Sequence, residues 1–242
     1  MMSMLRLGIV LGGSVALGAG IIAGSALESS KRKPQVKPER FSILATKYDQ
    51  EVGSTEASIG LEKIRKDLIG KAHGKVLETC AGTGRNNAFY DGAKVTELVL
   101  VDFSKQMLEE ALKKPCTGGV KLVQTIQTGD LKLFPDETFD SVVDTFGICS
   151  VEHPEEFLRE VKRVLKPGGS VLLLEHGRAE SPSSPFAKMV NAWLDFRAPA
   201  HADYFGCLWN RQISSLVERS GVTINEKRVH HFGTCTEIEA SK

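Results

Sequence analysis

The stretch that decides the fold runs from residue 75 to residue 87 and reads KVLETCAGTGRNN. A short apolar strand, Lys75–Glu78, leads into a tight loop that ends in Gly82-Thr83-Gly84, and we expect a helix to open at Arg85. A strand, a glycine loop and a helix N-terminus in this order let the backbone approach a nucleotide-like ligand closely. Taken alone, the glycine pair is explained equally well by packing of a helix against a strand.

The second strand predicted, Glu97–Asp102, ends in a carboxylate. In nucleotide-binding sheets an acidic residue at this position accepts hydrogen bonds from ribose hydroxyls. Asp102 can instead cap the helix that opens at Ser104, so both roles stay open. A dinucleotide site requires a third glycine after Gly84, and Arg85-Asn86-Asn87 stands there instead. The loop therefore argues against a nicotinamide cofactor.

Strands and helices alternate along the rest of the chain. A helix is predicted over residues 55–70 before the first strand, and another over residues 155–165 after the strand Phe139–Asp144. Lys166-Pro167-Gly168-Gly169 ends that helix, and the very apolar strand Ser170–Glu175 follows. This β-α-β-α order predicts an α/β fold with a parallel sheet.

Length, charge and cysteine content narrow the class of protein. The 242 residues allow one α/β domain and a short appendage. Lysine and arginine number 31 against 30 aspartate and glutamate residues, so no basic surface indicates a nucleic-acid partner. The five cysteines are scattered, which indicates a reducing compartment without a disulfide framework.

The N-terminal segment predicts a membrane anchor. Residues 7–27 read LGIVLGGSVALGAGIIAGSAL and carry no charge, enough for a helix to cross a bilayer core of about 30 Å. We predict an anchor at residues 1–28, a basic linker at 29–40 and one domain at 41–242. A cleaved signal peptide is the alternative, but the apolar run exceeds the roughly 7–15 residues usual for such peptides.

The residues around the apolar run predict its orientation. Five basic residues follow it: Lys31, Arg32, Lys33, Lys37 and Arg40. They outweigh Arg6 on the other side, so the positive-inside rule places the domain in the cytosol or the mitochondrial matrix. Gly8 and Gly12, like Gly20 and Gly24, have the spacing that lets two helices pair, although chance produces it readily in such a composition. Self-association through this helix stays open.

Five blocks, in order, resemble the motifs of class I S-adenosylmethionine-dependent methyltransferases. They are VLETCAGTGRN at 76–86, LVDFSKQML at 100–108, TGDL at 128–131, FDSVVDTFGICSV at 139–151 and LREVKRVLKPGGSVLLLEHG at 158–177. The resemblance is closest to the ubiquinone/menaquinone-biosynthesis branch and covers residues 41–242. It implies a Rossmann-like, mostly parallel sheet, with residues 222–229 and 233–239 as the closing antiparallel pair. The cofactor it implies is S-adenosyl-L-methionine.

The resemblance also implies a role for individual residues. Glu78 would steady the glycine loop and the methionine end of the cofactor, and Asp102 would hold the ribose. The other positions implied at the cofactor are Cys80, Gly82, Thr83 and Gly84 in the loop, Phe103 and Met107 against adenine, Asp130 and Leu131 at the adenine amino group, and Thr145 beneath the cofactor. Cys80 replaces the first glycine of the family's usual loop, a departure that would also suit a degraded site.

The sequence marks the methyl acceptor less clearly than the cofactor. Methyl transfer from a sulfonium depends mainly on in-line positioning, so an invariant base is not required. Residues 145–150 and 175–178 follow strands and are expected at the mouth of the site. His176 is the candidate general base, because an imidazole titrates near neutrality. A histidine that only holds the loop by hydrogen bonds explains it equally well.

The aromatic-rich segment 186–211 allows two interpretations. It includes both tryptophans of the chain and can roof an apolar acceptor pocket or simply pack into the core. His201 and Cys207 lie close in sequence, but neither has a further partner at ligand spacing, so we predict no metal.

The blocks LEHG at 174–177, LDFRA and GCLWNR resemble membrane-anchored methyltransferase-like proteins of the mitochondrial inner membrane in fungi and protists. They are more distantly similar to alkyl-thiol methyltransferases anchored to the endoplasmic reticulum. The resemblance implies an enzyme that methylates a quinone-like, thiol or lipid acceptor at a membrane. The alternative is a non-catalytic scaffold that keeps the fold and serves assembly of a membrane complex.

Overall fold

The computed structural model describes residues 33–116, 118–120, 123–180 and 184–242. Within these ranges no helix is both long enough and apolar enough to cross a membrane. The predicted anchor at residues 7–27 and its glycine pairs lie outside the described residues.

The strands of the described residues form one sheet in the order β3-β2-β1-β4-β5-β7-β6. They are β1 (Gly74–Thr79), β2 (Val95–Asp102), β3 (Val123–Gln127), β4 (Phe139–Thr145), β5 (Leu165–His176), β6 (Thr223–His230) and β7 (Cys235–Ser241). Strands β1 to β5 pair in parallel, and β7 runs antiparallel to both β5 and β6. The predicted α/β sheet, mostly parallel with an antiparallel last strand, is confirmed.

Helices cover both faces of this sheet. They are α1 (Glu39–Leu44), α2 (Tyr48–Ser58), α3 (Leu61–Ile69), α4 (Lys105–Leu112), α5 (Pro154–Val164), α6 (Pro185–Phe205) and α7 (Ile213–Ser220). Single 3-10 turns lie at Asn87–Phe89, Leu131–Leu133, Ile148–Ser150 and His231–Gly233.

Two apolar cores follow from the period-two alternation of side chains along a strand. Leu77 and Val99 face one core, which they share with residues of α5 and α7. Val76 and Leu98 face the other core, together with residues of α3 and α4. Because both faces are covered by helices, the carboxyl ends of the parallel strands are where a ligand can enter.

Two helix predictions were wrong. The helix expected over residues 55–70 is two helices, because Gly60 adopts a left-handed conformation with φ of 74° and separates α2 from α3. The helix expected to open at Arg85 is only the 3-10 turn Asn87–Phe89. Asn87 turns its side-chain amide inward to the carbonyls of Ala111 and Lys114, at 3.1 and 2.7 Å, which ties this segment to α4 instead.

The boundaries of β5 and of the linker also differ from the prediction. Strand β5 begins at Leu165, five residues before Ser170, because Leu165 already pairs with Phe139 and the Pro-Gly-Gly segment forms an irregularity within the strand. The described part of the predicted linker packs on the domain: Lys37 donates its backbone N–H to Gly206 and pairs with Asp203. The folded unit therefore includes residues before 41.

Gly84 closes the loop after β1 against α4. Its φ is 72°, and a Cβ placed on it would lie 3.0 Å from Cα and Cβ of Ala111 and 2.7 Å from the side-chain nitrogen of Asn87. Only glycine fits both the backbone conformation and the space. Gly60 has a similar φ of 74°, yet a Cβ there would meet nothing within 4 Å.

Comparison of Gly60 with Gly84 separates the cost of a left-handed backbone from the cost of crowding against α4. Gly60→Ala should lower the free energy of unfolding by about 1–2 kcal/mol, the usual cost of left-handed alanine. Gly84→Ala should cost about 1–3 kcal/mol more, because overpacking against α4 is added. Urea denaturation of both variants measures the difference, and equal losses would show that the close approach to Ala111 has no energetic weight.

Candidate active site

A cavity of about 550 Å³ opens at the carboxyl ends of β1, β2, β3 and β4. This volume is typical of small-molecule sites. Ten of the eleven predicted cofactor residues line it: Glu78, Cys80, Gly82, Thr83, Asp102, Phe103, Met107, Asp130, Leu131 and Thr145. Gly84 is not among the lining residues and instead packs against α4. The structure thus brings the predicted residues together, while their individual roles stay predictions.

Glu78 lies at the floor of the cavity and is fully enclosed. Its carboxyl oxygens accept hydrogen bonds from the Asn86 amide at 2.8 Å and from the Tyr90 hydroxyl at 2.6 Å. Burial raises the pKa of Glu78 to about 7, against the lowering effect of these two hydrogen bonds. Because Asn86 belongs to the loop after β1, this hydrogen bond ties the loop to Glu78.

Asp102 ends β2 and lines the same cavity. One carboxyl oxygen accepts the backbone N–H of Gly82 at 2.9 Å, and the other accepts that of Ser104 at 2.8 Å. The hydroxyl of Ser104 caps α4 itself by accepting from Met107, so Asp102 is not the helix cap. Each oxygen of Asp102 keeps a second lone pair, which is free for a hydroxyl of a ligand. Burial raises the pKa of Asp102 to about 6.

These walls fit a nucleoside. Beside Asp102, Phe103, Met107 and Leu131 provide an apolar surface for a base. Asp130 caps the 3-10 turn through the backbone N–H of Lys132 and is exposed, so its carboxylate retains acceptor capacity. The adenosine part of S-adenosylmethionine requires an acidic group that accepts hydrogen bonds from the ribose hydroxyls and an adjacent apolar surface for the adenine ring.

A buried pair of carboxyl groups fixes the loop after β4. Oδ1 of Asp144 and Oε1 of Glu175 both accept the backbone N–H groups of Gly147 and Ile148, at 2.7–3.2 Å. Burial raises the pKa of both carboxyl groups, so the pair retains a proton above the usual range for carboxyl groups. A Cβ on Gly147 would lie 2.6 Å from both Asp144 oxygens and from Cβ of Cys80. The loop therefore approaches the Cys80 loop as closely as glycine allows.

Several residues of the site were missed by the sequence analysis. Arg65 of α3 is buried and donates to Asn86 at 2.9 Å, to Thr145 at 2.8 Å and to Glu56 at 3.1 Å. Glu56 also pairs with Arg85 at 2.7 Å. These contacts join α2 and α3 to the floor of the cavity. No motif signals them, since a lone arginine or glutamate in a helix is usually a surface residue.

A second cavity, of about 140 Å³, adjoins the first. Both cavities are lined by Phe41, Tyr48, Glu56 and Phe146. Leu194, His201, Phe205 and Trp209 of the aromatic segment line the second one, as does His176. The segment therefore lines a cavity and also packs into a small core, which includes Ala187, Val190 and Ala198. Whether the cavity holds the methyl acceptor stays a prediction.

Sulfur and imidazole groups gather on the wall of the second cavity. Sγ of Cys207 lies 3.2 Å from Nε2 of His201 and 3.6 Å from Nε2 of His176. Sγ of Cys149 lies within 4.8 Å of both Sγ of Cys207 and the His176 ring nitrogen. His201 and Cys207 were predicted to have no further partners in a metal site, and that expectation was wrong. The fold brings Cys149 and His176 to them from distant parts of the chain.

Comparison with known proteins agrees with this geometry. The model of the "ubiE/COQ5 methyltransferase family" matches residues 29–199. "Methyltransferase OMS1, mitochondrial" of Saccharomyces cerevisiae is 30% identical over 237 residues, which are 89% of this chain and 49% of that protein. "Ubiquinone/menaquinone biosynthesis C-methyltransferase UbiE" of Bordetella avium is 35% identical over 167 residues, 64% of this chain and 64% of that protein. The chain thus matches less than two thirds of the length of either relative.

Solved structures share the fold. A possible histamine N-methyltransferase of Thermotoga maritima superposes with a TM-score of 0.60 at 21% identity, over 85% of this chain and 100% of that chain. A putative methyltransferase of Bacillus halodurans gives 0.56 at 23% identity, over 69% of this chain and 71% of that chain.

The predicted role of Asp102 can be tested by ligand binding. Asp102→Ala should weaken S-adenosylmethionine binding about ten- to hundredfold, because a lost hydrogen bond to a charged group costs about 1.5–3 kcal/mol. Calorimetry on the full chain measures the affinity, and Asp67→Ala, an exposed carboxylate of α3, is the matched control.

Asp102 also accepts the backbone N–H of Gly82, so Asp102→Ala can weaken binding by disturbing the loop alone. A second ligand that lacks the ribose hydroxyls separates this effect from the loss of a ribose contact. For an analogue without the two ribose hydroxyls, Asp102→Ala should lose much less affinity than for the parent ligand. An equal loss for both ligands would assign Asp102 to the loop alone.

Proposed function

The chain belongs to the ubiE/COQ5 methyltransferase family, and from this premise we propose that it transfers the methyl group of S-adenosylmethionine to a small, apolar or membrane-associated acceptor. The observation that carries the proposal is the pair of adjoining cavities, one suited to an adenosine and one apolar. Phe41, Tyr48, Glu56 and Phe146 line both, so ligands in the two cavities can touch.

The size and lining of the second cavity support a ring or a thiol as the acceptor end. A volume of about 140 Å³ is close to that of cavities known to hold a single benzene ring. Leu194, Phe205 and Trp209 offer an apolar surface. A larger acceptor, such as a prenylated quinone or a lipid, would place only its reactive end here. The relatives named for ubiquinone and menaquinone biosynthesis support a quinone-like ring as one acceptor class.

The residues contribute position rather than covalent chemistry. The bound cofactor supplies an activated methyl group, and the protein has to hold the acceptor atom in line with it and exclude water. Phe146, fixed by the Gly147 and Ile148 hydrogen bonds, lies at the boundary of the two cavities. Helices α1 and α2 cover the same boundary through Phe41 and Tyr48. Burial raises the pKa of the Tyr48 hydroxyl far above its usual value, so it remains a neutral donor.

His176 stays the predicted general base. Its ring lies edge-on to Phe146, with ring centroids 5.5 Å apart, and lines the acceptor cavity. Its Nε2 also faces Cys207, however, and that nitrogen belongs to the sulfur and imidazole cluster. The same nitrogen cannot accept a proton from the substrate while it binds within that cluster.

Filling the second cavity should separate methyl transfer from cofactor binding. Val52→Trp on α2 should lower methyl transfer at least tenfold, because the indole occupies the space of the acceptor, and leave S-adenosylmethionine affinity within about threefold. Val229→Trp on β6, which is exposed and lines neither cavity, is the control. The assay follows tritiated methyl groups from the cofactor into the lipid, protein and RNA fractions of a membrane extract.

The same assay decides between enzyme and scaffold. Incorporation into the lipid fraction that is lost in Val52→Trp and kept in Val229→Trp supports the proposal. Normal cofactor binding by the parent chain without incorporation above an Asp102→Ala background would identify a non-catalytic scaffold.

We further propose that residues 7–27 anchor the domain in a membrane, with the mitochondrial inner membrane favoured over the endoplasmic reticulum. The mitochondrial relative in yeast supports the organelle. The position of Lys37 supports a membrane-facing acceptor cavity, because it contacts Gly206, between Phe205 and Cys207 of that cavity. Only nine residues separate residue 27 from Lys37, a reach of at most about 35 Å.

Deleting residues 1–30 should therefore leave cofactor affinity unchanged and sharply reduce turnover of an acceptor embedded in vesicles, since the local concentration of substrate is lost. Turnover of a water-soluble analogue should be spared. Release of the full-length gene product by carbonate as an N-terminally shortened chain would show that residues 7–27 are a removed targeting sequence.

A further inference from the structure

We propose that Cys149, His176, His201 and Cys207 form a binding site for one Zn²⁺ ion between the carboxyl ends of the strands and α6. The four donor atoms are Sγ of the two cysteines and Nε2 of the two histidines. Two thiolates and two imidazoles are the donor set that zinc prefers in four-coordinate protein sites. The inference rests on this geometry and does not require methyl transfer, but it excludes the predicted role of His176 as general base.

The separations between donors fit a tetrahedral ion. Bond lengths of about 2.3 Å to sulfur and 2.0–2.1 Å to nitrogen place sulfur and nitrogen donors about 3.6 Å apart. Sγ of Cys207 lies 3.6 Å from Nε2 of His176 and 3.2 Å from Nε2 of His201. Sγ of Cys149 and of Cys207 and the His176 ligand atom all lie within 4.8 Å of one another. An ion can therefore be accommodated once the three side chains move toward a common centre, with His201 joining them through its contact with Cys207.

The surroundings hold the donors in place. The side chains of Cys149 and Cys207 are buried, 1% and 5% exposed, and both cysteines are free thiols. His201 stacks on Trp209, with ring centroids 4.0 Å apart and planes 15° apart. His176 contacts both Phe146 and His201 at ring edges. Rings fixed by packing lose little freedom on binding a metal, which favours a preformed site.

The charge of the site suits a divalent cation. Two thiolates neutralise one Zn²⁺, so the filled site carries no net charge into an apolar cavity. The neighbouring guanidinium of Arg211 is directed to the carbonyls of Ile148 and Val151, at 2.9 and 2.6 Å, and does not occupy the cluster. The pairing of Cys207 with both imidazoles is then the metal-free arrangement of the same side chains.

The ion would join separate parts of the fold. Cys149 lies in the 3-10 turn after β4, His176 ends β5, His201 lies in α6, and Cys207 follows α6. One ion thus fixes the roof of the second cavity to the sheet, with His176 Nε2 as a ligand and unavailable as a proton acceptor. His176 is then a positioning residue, and its substitution would change metal content together with turnover.

Cobalt provides the direct test, since it replaces zinc and reports its own coordination. The full chain in detergent, stripped by a chelator under reducing conditions, should bind one equivalent of Co²⁺ with the visible bands of tetrahedral coordination and a thiolate charge-transfer band. Zn²⁺ should displace the cobalt. Octahedral spectra without the charge-transfer band, or no binding, in the parent chain would overturn the proposal without reference to any variant.

Variants assign the ligands. Cys207→Ser and His201→Asn should each weaken Zn²⁺ binding at least tenfold in competition with a chromophoric chelator, while Cys116→Ser, which removes a thiol outside the cluster, should leave it unchanged. Unchanged affinity in Cys207→Ser would also overturn the proposal. Absence of methyl transfer by a chain that still binds the metal would instead count against the proposed function alone.

Discussion

The fold of this site depends on carboxyl groups buried at the ends of parallel strands. Glu78, Asp102, Asp144 and Glu175 end or nearly end β1, β2, β4 and β5, and each is at most 6% exposed. A buried carboxyl group is costly unless its lone pairs are satisfied, and donors at this edge of the sheet come from the loops. Asp102 takes the N–H of Gly82, and Asp144 and Glu175 share those of Gly147 and Ile148. The loops that line the cavity are therefore held in one conformation by the groups beneath them.

The sequence could predict the sheet and the cofactor wall because both are local patterns. The apolar run Ser170–Glu175 and the alternation of elements require only neighbouring residues, and each predicted cofactor residue lies near the carboxyl end of a strand. Once the strands are parallel, their carboxyl ends meet at one edge, so ten of the eleven residues converge on one cavity without further information. Gly84 does not line the cavity, and glycine is required there because the backbone packs closely against Ala111.

The parts that the sequence could not predict are contacts between remote segments. Arg65 reaches the cavity floor only because α3 packs beside the loop after β1, and its partners are 9 to 80 residues away. In the same way, Cys149 and Cys207 are 58 positions apart and form no motif. The sequence test for a metal looks for ligands at fixed spacing, which a site assembled from a turn, a strand end and a helix does not show. The missing helix after Arg85 has a related cause, because the two asparagines there satisfy distant groups instead of continuing a helix.

Cys80 shows how a departure from the family's glycine is accommodated. Its φ is 49°, in the left-handed region where a residue with a Cβ is strained by about 1–2 kcal/mol. Such strain persists only where the surroundings determine the conformation, and here the loop is held on both sides by Asp102 and by the chain of contacts from Glu78. A Cβ on residue 147 would lie only 2.6 Å from Cβ of Cys80, so the side chain at position 80 requires glycine at position 147. Burial raises the pKa of the Cys80 thiol well above its usual value, which keeps it neutral beside Asp102 and Asp144. The substitution thus places a neutral side chain in a loop whose conformation these contacts determine.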